Sequence, residues 1–209
     1  MAKGTSPADR GEGSGSEIVP KKLAHVVIRT ARFSQMLEWY RTVFHAKTSF
    51  ENGVIAFLTY DDEHHRIALL NTSQLKAPEQ QYTGVDHVAF TYGSLQDLLA
   101  TYERLKGKGI QPFWSINHGP TTSMYYRDPD GNELELQVDN YDDIHEAAKY
   151  FYSDAFAANP IGVDFDPDLL LAKMRSGEPV SDLLRQGAAP VPAGSEYVYS
   201  KLAPPPGSR

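Results

Sequence analysis

The chain has 209 residues, of which 41% are hydrophobic and 22% charged, enough apolar material for one buried core or two small fused modules. A net charge of -7, with no basic run longer than Lys21-Lys22, argues against a sequence-independent grip on nucleic acid or on an anionic membrane. Cysteine is absent, so disulfides, thiolate metal sites and a cysteine nucleophile are excluded, and any metal must rest on nitrogen and oxygen ligands.

Residues 1–20 are Gly, Ser, charge and Pro, and are expected to form a disordered tail without the apolar core of a secretory signal. No stretch approaches the ~18 apolar residues of a membrane span, so a cytoplasmic protein is expected. The run Leu23–Arg29 reads as a strand. In the segment 33–45, Phe33, Met36, Leu37, Tyr40 and Phe44 recur at spacings of three and four, which predicts an amphipathic helix. Three strands are predicted next, over 47–51, 54–60 and 66–70. Asn52-Gly53 suggests a type I′ hairpin between the first two.

The same order then recurs. Val85–Tyr92 reads as a strand, and Ser94 caps a helix whose apolar positions are Leu95, Leu98, Leu99, Tyr102 and Leu105, closed by Gly107 and Gly109. Strands are predicted over 111–116, 123–127 and 133–138, the last two joined by Asp128-Pro129-Asp130-Gly131. The chain therefore carries β-α-β-β-β twice, in modules 21–75 and 82–140, with His25 and His87 at matching places. The fold class expected is α+β: two tandem modules whose half-sheets face one another as an open, eight-stranded, barrel-like metal-binding domain. Residues 141–186 follow as a helical extension, with helices over 142–156 and 166–184, and 187–209 as a Pro-rich tail on which Tyr197 and Tyr199 could dock.

Three side chains can meet in the enclosed cavity. His25 and His87 sit early in the first strand of each module, and Glu135 lies mid-strand in the last. Alternation puts Glu133 and Glu135 on one face, and Glu135 is the deeper of the two. Two imidazoles and a carboxylate with open positions form the facial triad of non-haem iron(II) oxygenases. That chemistry needs the openings, because a catechol binds through both oxygens while dioxygen binds beside it.

The segments His25-Val-Val, Asp86-His87-Val-Ala-Phe and Tyr125 to Leu136, with its Asp-Pro-Asp-Gly-Asn turn, resemble the vicinal oxygen chelate superfamily over about residues 22–140. That group includes glyoxalase I, bleomycin and fosfomycin resistance proteins and type I extradiol dioxygenases. Its lyases and isomerases carry a fourth ligand, a Glu in the last strand of the first module, where this chain has His65-Arg66-Ile67-Ala68-Leu69-Leu70. The resemblance thus implies a single-domain extradiol dioxygenase with Fe(II) on His25, His87 and Glu135; Mn(II) accepts the same ligands. Its partners would be a catechol-type diol, O2 and other copies in a homo-oligomer. The alternatives are a glyoxalase-like lyase or isomerase, a thiol transferase, or a small-molecule-sequestering resistance protein.

The resemblance also assigns roles. His65 takes the place of an acid–base histidine beside the dioxygen pocket, a task suited to a side chain that titrates near neutrality. Tyr125 matches a tyrosine that donates a hydrogen bond to a substrate oxygen. His118 falls in a loop near the dioxygen site, where biphenyl-diol enzymes carry Asn, a departure that points away from biphenyls. Phe57, Phe90 and Trp114 are candidates for an aromatic wall, and His45, His64 and His145 are expected at the surface.

Overall fold

The computed structural model describes residues 19–76 and 84–192. The two tails expected from the sequence, including Tyr197 and Tyr199, lie largely outside the described residues.

The first module runs β1 (Val26–Thr30), α1 (Phe33–Phe44), β2 (Lys47–Glu51), β3 (Ile55–Thr59) and β4 (Ile67–Asn71). Its sheet has the order β1-β4-β3-β2, with β1 and β4 parallel. The helix forms because its apolar residues fall on one stripe: Phe33, Met36, Leu37, Tyr40 and Val43 are buried. They pack on Ala56, Leu58, Ile67 and Leu69, which alternate along β3 and β4. Each of those leucines, fully buried, contributes about 1.5–3 kcal/mol. His45 ends the helix in the left-handed conformation.

The turn between β2 and β3 differs from expectation. Gly53 has φ +77°, but Asn52 is not left-handed, so this is not a type I′ turn. The Asn52 side chain closes it instead, accepting hydrogen bonds from the amides of Val54 and Ile55 at 3.1 and 3.0 Å.

The second module repeats the order in β5 (His87–Thr91), α2 (Leu95–Lys106), β6 (Trp114–Asn117), β7 (Thr121–Arg127) and β8 (Glu133–Asp139). Ser94 caps α2 as predicted, accepting from the Asp97 amide at 3.1 Å. Leu98, Leu99, Tyr102 and Leu105 of α2 lie against Met124, Tyr126, Leu136 and Val138 of the sheet. That face is apolar. The other carries Glu133, Glu135 and Gln137 of β8 with Tyr125 and Arg127 of β7, by the alternation of strand side chains.

The expectation of two half-sheets holds, but they are separate four- and five-stranded sheets and do not close as a barrel. The ninth strand is unexpected. After β8 the chain forms α3 (Ile144–Tyr150), α4 (Asp154–Ala158), the short β9 (Val163–Asp164), α5 (Pro167–Arg175) and α6 (Val180–Leu183). The first expected helix breaks after Tyr150, and β9 extends the second sheet to β5-β8-β7-β6-β9. No apolar run of useful length announces a two-residue strand; it is the β6 edge that recruits it. Asp166 does start α5, with Pro167 at its first position, and accepts from the amides of Asp168 and Leu169. No helix among the described residues is long and apolar enough to cross a membrane.

The two modules meet around the Asp128–Gly131 turn. Asp128 is buried and accepts hydrogen bonds from the amides of Asp130 and Asn132 and from the Asn132 side chain, at 2.8–3.0 Å. The Tyr40 hydroxyl of α1 donates to it at 3.1 Å, and Arg32 binds the Pro129 carbonyl. The turn that leads into β8 is thereby held by the first module.

Candidate metal centre

The register of the two sheets reveals the relation between the halves. In the first, Val27 pairs with Ala68; in the second, Ala89 pairs with Glu135. Val27 and Ala89 are the equivalent second residues after His25 and His87. Ala68 therefore stands where a duplicated glutamate would be, and the acid is present once.

Glu135 is 5% exposed, a costly place for a carboxylate without partners. Its Oε2 lies 3.1 Å from His87 Nε2. On the other side of that imidazole, Nδ1 lies 2.9 Å from Asp86 Oδ2. A carboxylate accepting from Nδ1–H fixes the imidazole with Nε2 toward Glu135, the outer-sphere arrangement that orients a ligating histidine. Asp86 was visible in the sequence beside His87, but only the geometry gives it a task.

Tyr125 pairs with Glu135 across the sheet, its ring 5.2 Å from that of His87 and stacked on Trp114 at 4.7 Å. The Tyr125 hydroxyl and His118 Nε2 are 3.0 Å apart, and the same Nε2 is 4.0 Å from Glu135 Oε1. His118 Nδ1 reaches the Ile161 carbonyl at 2.5 Å. Four of the expected site residues or their neighbours thus form one polar cluster on the second sheet.

His25 and His65 form another. His25 immediately precedes β1, and its ring centroid is 4.2 Å from that of His65. Phe57 stacks on His65 at 4.6 Å, and His64 touches it through facing Nδ1 atoms at 2.5 Å. Burial, then the charges of His25 and His64, hold the His65 imidazole below its ordinary pKa. His64 is 71% exposed, in keeping with a surface position. Of the aromatic candidates, Phe57 and Trp114 flank these clusters, whereas Phe90 packs on Phe44 in the core.

The expected triad is therefore only partly assembled. Among the described residues, no three His, Cys, Asp or Glu side chains converge as a group able to hold a metal ion, and His25 contacts His65 in place of the His87–Glu135 pair. Still, the chemistry of the donors suits a divalent cation. A buried carboxylate with an imidazole nitrogen 3.1 Å from it offers a cation an oxygen and a nitrogen donor side by side. A cavity of about 620 Å³ lies elsewhere, between α2 and α5. It is on the apolar side of the second sheet, opposite Glu135, and ion pairs span it from Lys106 to Asp168 and from Arg175 to Glu103.

Comparison with known proteins places this architecture. Residues 22–136 match the Glyoxalase/Bleomycin resistance protein/Dioxygenase superfamily. The chain belongs to this superfamily. Within it, the chain is 46% identical over 160 residues to biphenyl-2,3-diol 1,2-dioxygenase 2 of Rhodococcus globerulus, spanning 76% of this chain and 84% of that one. It is 41% identical over 167 residues to biphenyl-2,3-diol 1,2-dioxygenase 3 of the same organism, spanning 79% and 88%. A lactoylglutathione lyase from Agrobacterium tumefaciens superposes with a TM-score of 0.46 at 19% identity, over 57% of this chain and 94% of that one. The relatives are dioxygenases of the superfamily, as the sequence motifs implied.

Proposed function

We propose that this superfamily member is an extradiol dioxygenase, opening the ring of an aromatic 2,3-diol or catechol with O2 at a ferrous centre. The single observation that carries this reading is the register match of Ala68 with Glu135. One acid where a symmetric duplication would give two leaves the coordination open for a bidentate diol and dioxygen. The identity to two proteins named as biphenyl-2,3-diol 1,2-dioxygenases supports it independently.

In this reading His25, His87 and Glu135 hold the metal, with a rotation of the His25 ring away from His65. Fe(II), or Mn(II) in its place, would supply electron density to dioxygen and acidify the bound diol. The protein's own groups do the rest. His65, whose pKa burial holds below its ordinary value, accepts a proton from one diol hydroxyl and returns it to oxygen later in the reaction. Tyr125, oriented by His118, contacts the second diol oxygen, while Phe57 and Trp114 exclude water from the ring.

Anaerobic reconstitution with Fe(II), followed by oxygen-electrode assays over a panel of catechols and biphenyl-2,3-diol, tests this. One O2 consumed per diol, with a yellow ring-opened product, is the expected result. Metal binding without oxygen uptake on any diol would overturn the dioxygenase reading in favour of a lyase or thiol transferase on the same fold. A cytoplasmic location and a homo-oligomeric state remain part of the proposal, the latter checked by light scattering.

A further inference from the structure

We propose that the C-terminal extension is a working part of the site: the Ile161 carbonyl fixes His118 as its Nδ1–H tautomer, so that the Tyr125 hydroxyl donates to Nε2 and meets a diol as an acceptor. The proposal rests on the dioxygenase reading for its substrate, but its first step concerns only the protein. A carbonyl oxygen can only accept, so the 2.5 Å contact from Ile161 requires the proton on Nδ1. In a neutral imidazole the other nitrogen is then an acceptor. The Tyr125 hydroxyl at 3.0 Å is the donor it meets. The phenol oxygen keeps its lone pairs, and a diol hydroxyl can donate to them. This reverses the direction expected from the resemblance, in which the tyrosine donates to substrate.

The extension is built to hold that carbonyl in place. Asn159 makes a side-chain turn, its Oδ1 accepting from the amides of Ile161 and Gly162 at 3.2 and 3.1 Å and its Nδ2 donating to the Gly162 carbonyl at 2.6 Å. Gly162 has φ +119°, and a Cβ there would lie 2.3 Å from the Asn117 carbonyl oxygen. A Cβ on Gly119, φ +101°, would likewise fall 2.2 Å from the Tyr150 ring of α3. The loop bearing His118 is therefore approached closely at Gly119 and against Asn117 by two segments of the extension. A mere cover over the sheet edge would need neither approach. Ile161 and Asn159 are positioning residues, acting through His118 on Tyr125.

Long-range 15N–1H correlation of the imidazoles, on the full-length chain alone and loaded with diamagnetic Zn(II), reads the tautomer directly. His118 is expected as Nδ1–H in both; an Nε2–H form or an averaged signal would overturn the proposal. Asn159→Ala should convert His118 to a tautomer mixture, and an unchanged signal in a folded variant would also overturn it. Should that variant fail to fold, the wild-type spectrum and a mutant cycle still decide. In the Fe(II) enzyme, His118→Phe and Tyr125→Phe should each raise KM for the diol about three- to tenfold with little change in kcat, as loss of one hydrogen bond does. The double variant should be no worse than either single, and His118→Gln, whose amide offers one donor and one acceptor, should recover part of the loss. Additive effects would mean that the two side chains act separately. The spectra involve no diol, so their outcome is independent of whether the chain turns one over.

Discussion

The two modules share a strand order and a register, yet differ in what those strands carry. In the first, the positions facing Val27 and its neighbours are Ala68 and Leu70, and the polar groups sit at the strand entry in His25, His64 and His65. In the second, the matching strand carries Glu133, Glu135 and Gln137, and Tyr125 and His118 stand beside them. The extension deepens the contrast, since β9 pairs with β6 and α5 packs on α2, both in the second module. Duplication supplies two similar backbones, and in the function proposed above their divergence divides the work: one half offers His25, His65 and the ring of Phe57, the other Glu135 and the groups around it.

The sharpest way to break this comparison is to remove the acid. Glu135→Ala should weaken Fe(II) binding by more than the ~10–100-fold that loss of an outer-sphere partner costs, measured by chelator competition on a variant with an unchanged far-UV spectrum. Making the halves alike is the complementary change. Ala68→Glu should keep the metal and abolish oxygen uptake, because a second carboxylate closes a position that dioxygen needs. Retained oxygen uptake would show that the alanine has no bearing on the reaction.

Next in size is His65, the proton carrier of the proposed reaction. His65→Phe should lower kcat by about 10²–10⁴-fold, the usual contribution of an acid–base group, while iron content stays that of wild type. Since His65 lies against His25, loss of iron would instead identify it as a ligand.

Much of this division was legible in the sequence. The repeated periodicities placed both helices and the core strands, because each element buries a face set by its own spacing. His87 and Glu135 were legible together, since His87 opens the first strand of its module and strand alternation turns Glu135 of the last strand to one face with Glu133. What escaped were features made by backbone and by distance. The Ile161 carbonyl has no side-chain signature, and the short β9 has no apolar run. Asn52 looked like half of a two-residue turn, yet its side chain supplies what a second left-handed residue would have done. The meeting of His25 with His65 likewise depends on ring orientation before β1, which strand alternation does not fix.

The junction between the halves gives a third test. If the modules were independent, Asp128 would serve only its own turn, but Tyr40 of α1 also donates to it. Asp128→Ala should leave buried donors unsatisfied and cost about 1–3 kcal/mol in urea unfolding. Burial holds this carboxyl above its ordinary pKa, with the bonds from Asn132 and Tyr40 pulling part of the way back. A group raised by folding binds its proton more tightly in the folded chain, so its share of stability is full below the unfolded value and is lost as pH rises through the folded one. The cost of Asp128→Ala should therefore grow as pH falls from neutrality and level off below the ordinary 3.8.

The smallest effect should come from the tether between the extension and the second half. Asp168 accepts from Lys106 Nζ at 2.6 Å and from the Tyr102 hydroxyl at 2.8 Å, and the bond from Lys106 holds its pKa below the ordinary value. For a depressed carboxyl the sign is the opposite of that at Asp128: its stability is present above the unfolded value and disappears as pH falls through the folded one. With 57% of the side chain exposed, solvent screens the pair, and Asp168→Asn should cost only about 0.2–1 kcal/mol at neutral pH, less in high salt and nothing in strong acid. The grip at Gly119 and Gly162 does not pass through Asp168, so KM for the diol should be unchanged in this variant. A raised KM would mean that the extension is held over the site by α5, and not by the two glycine contacts.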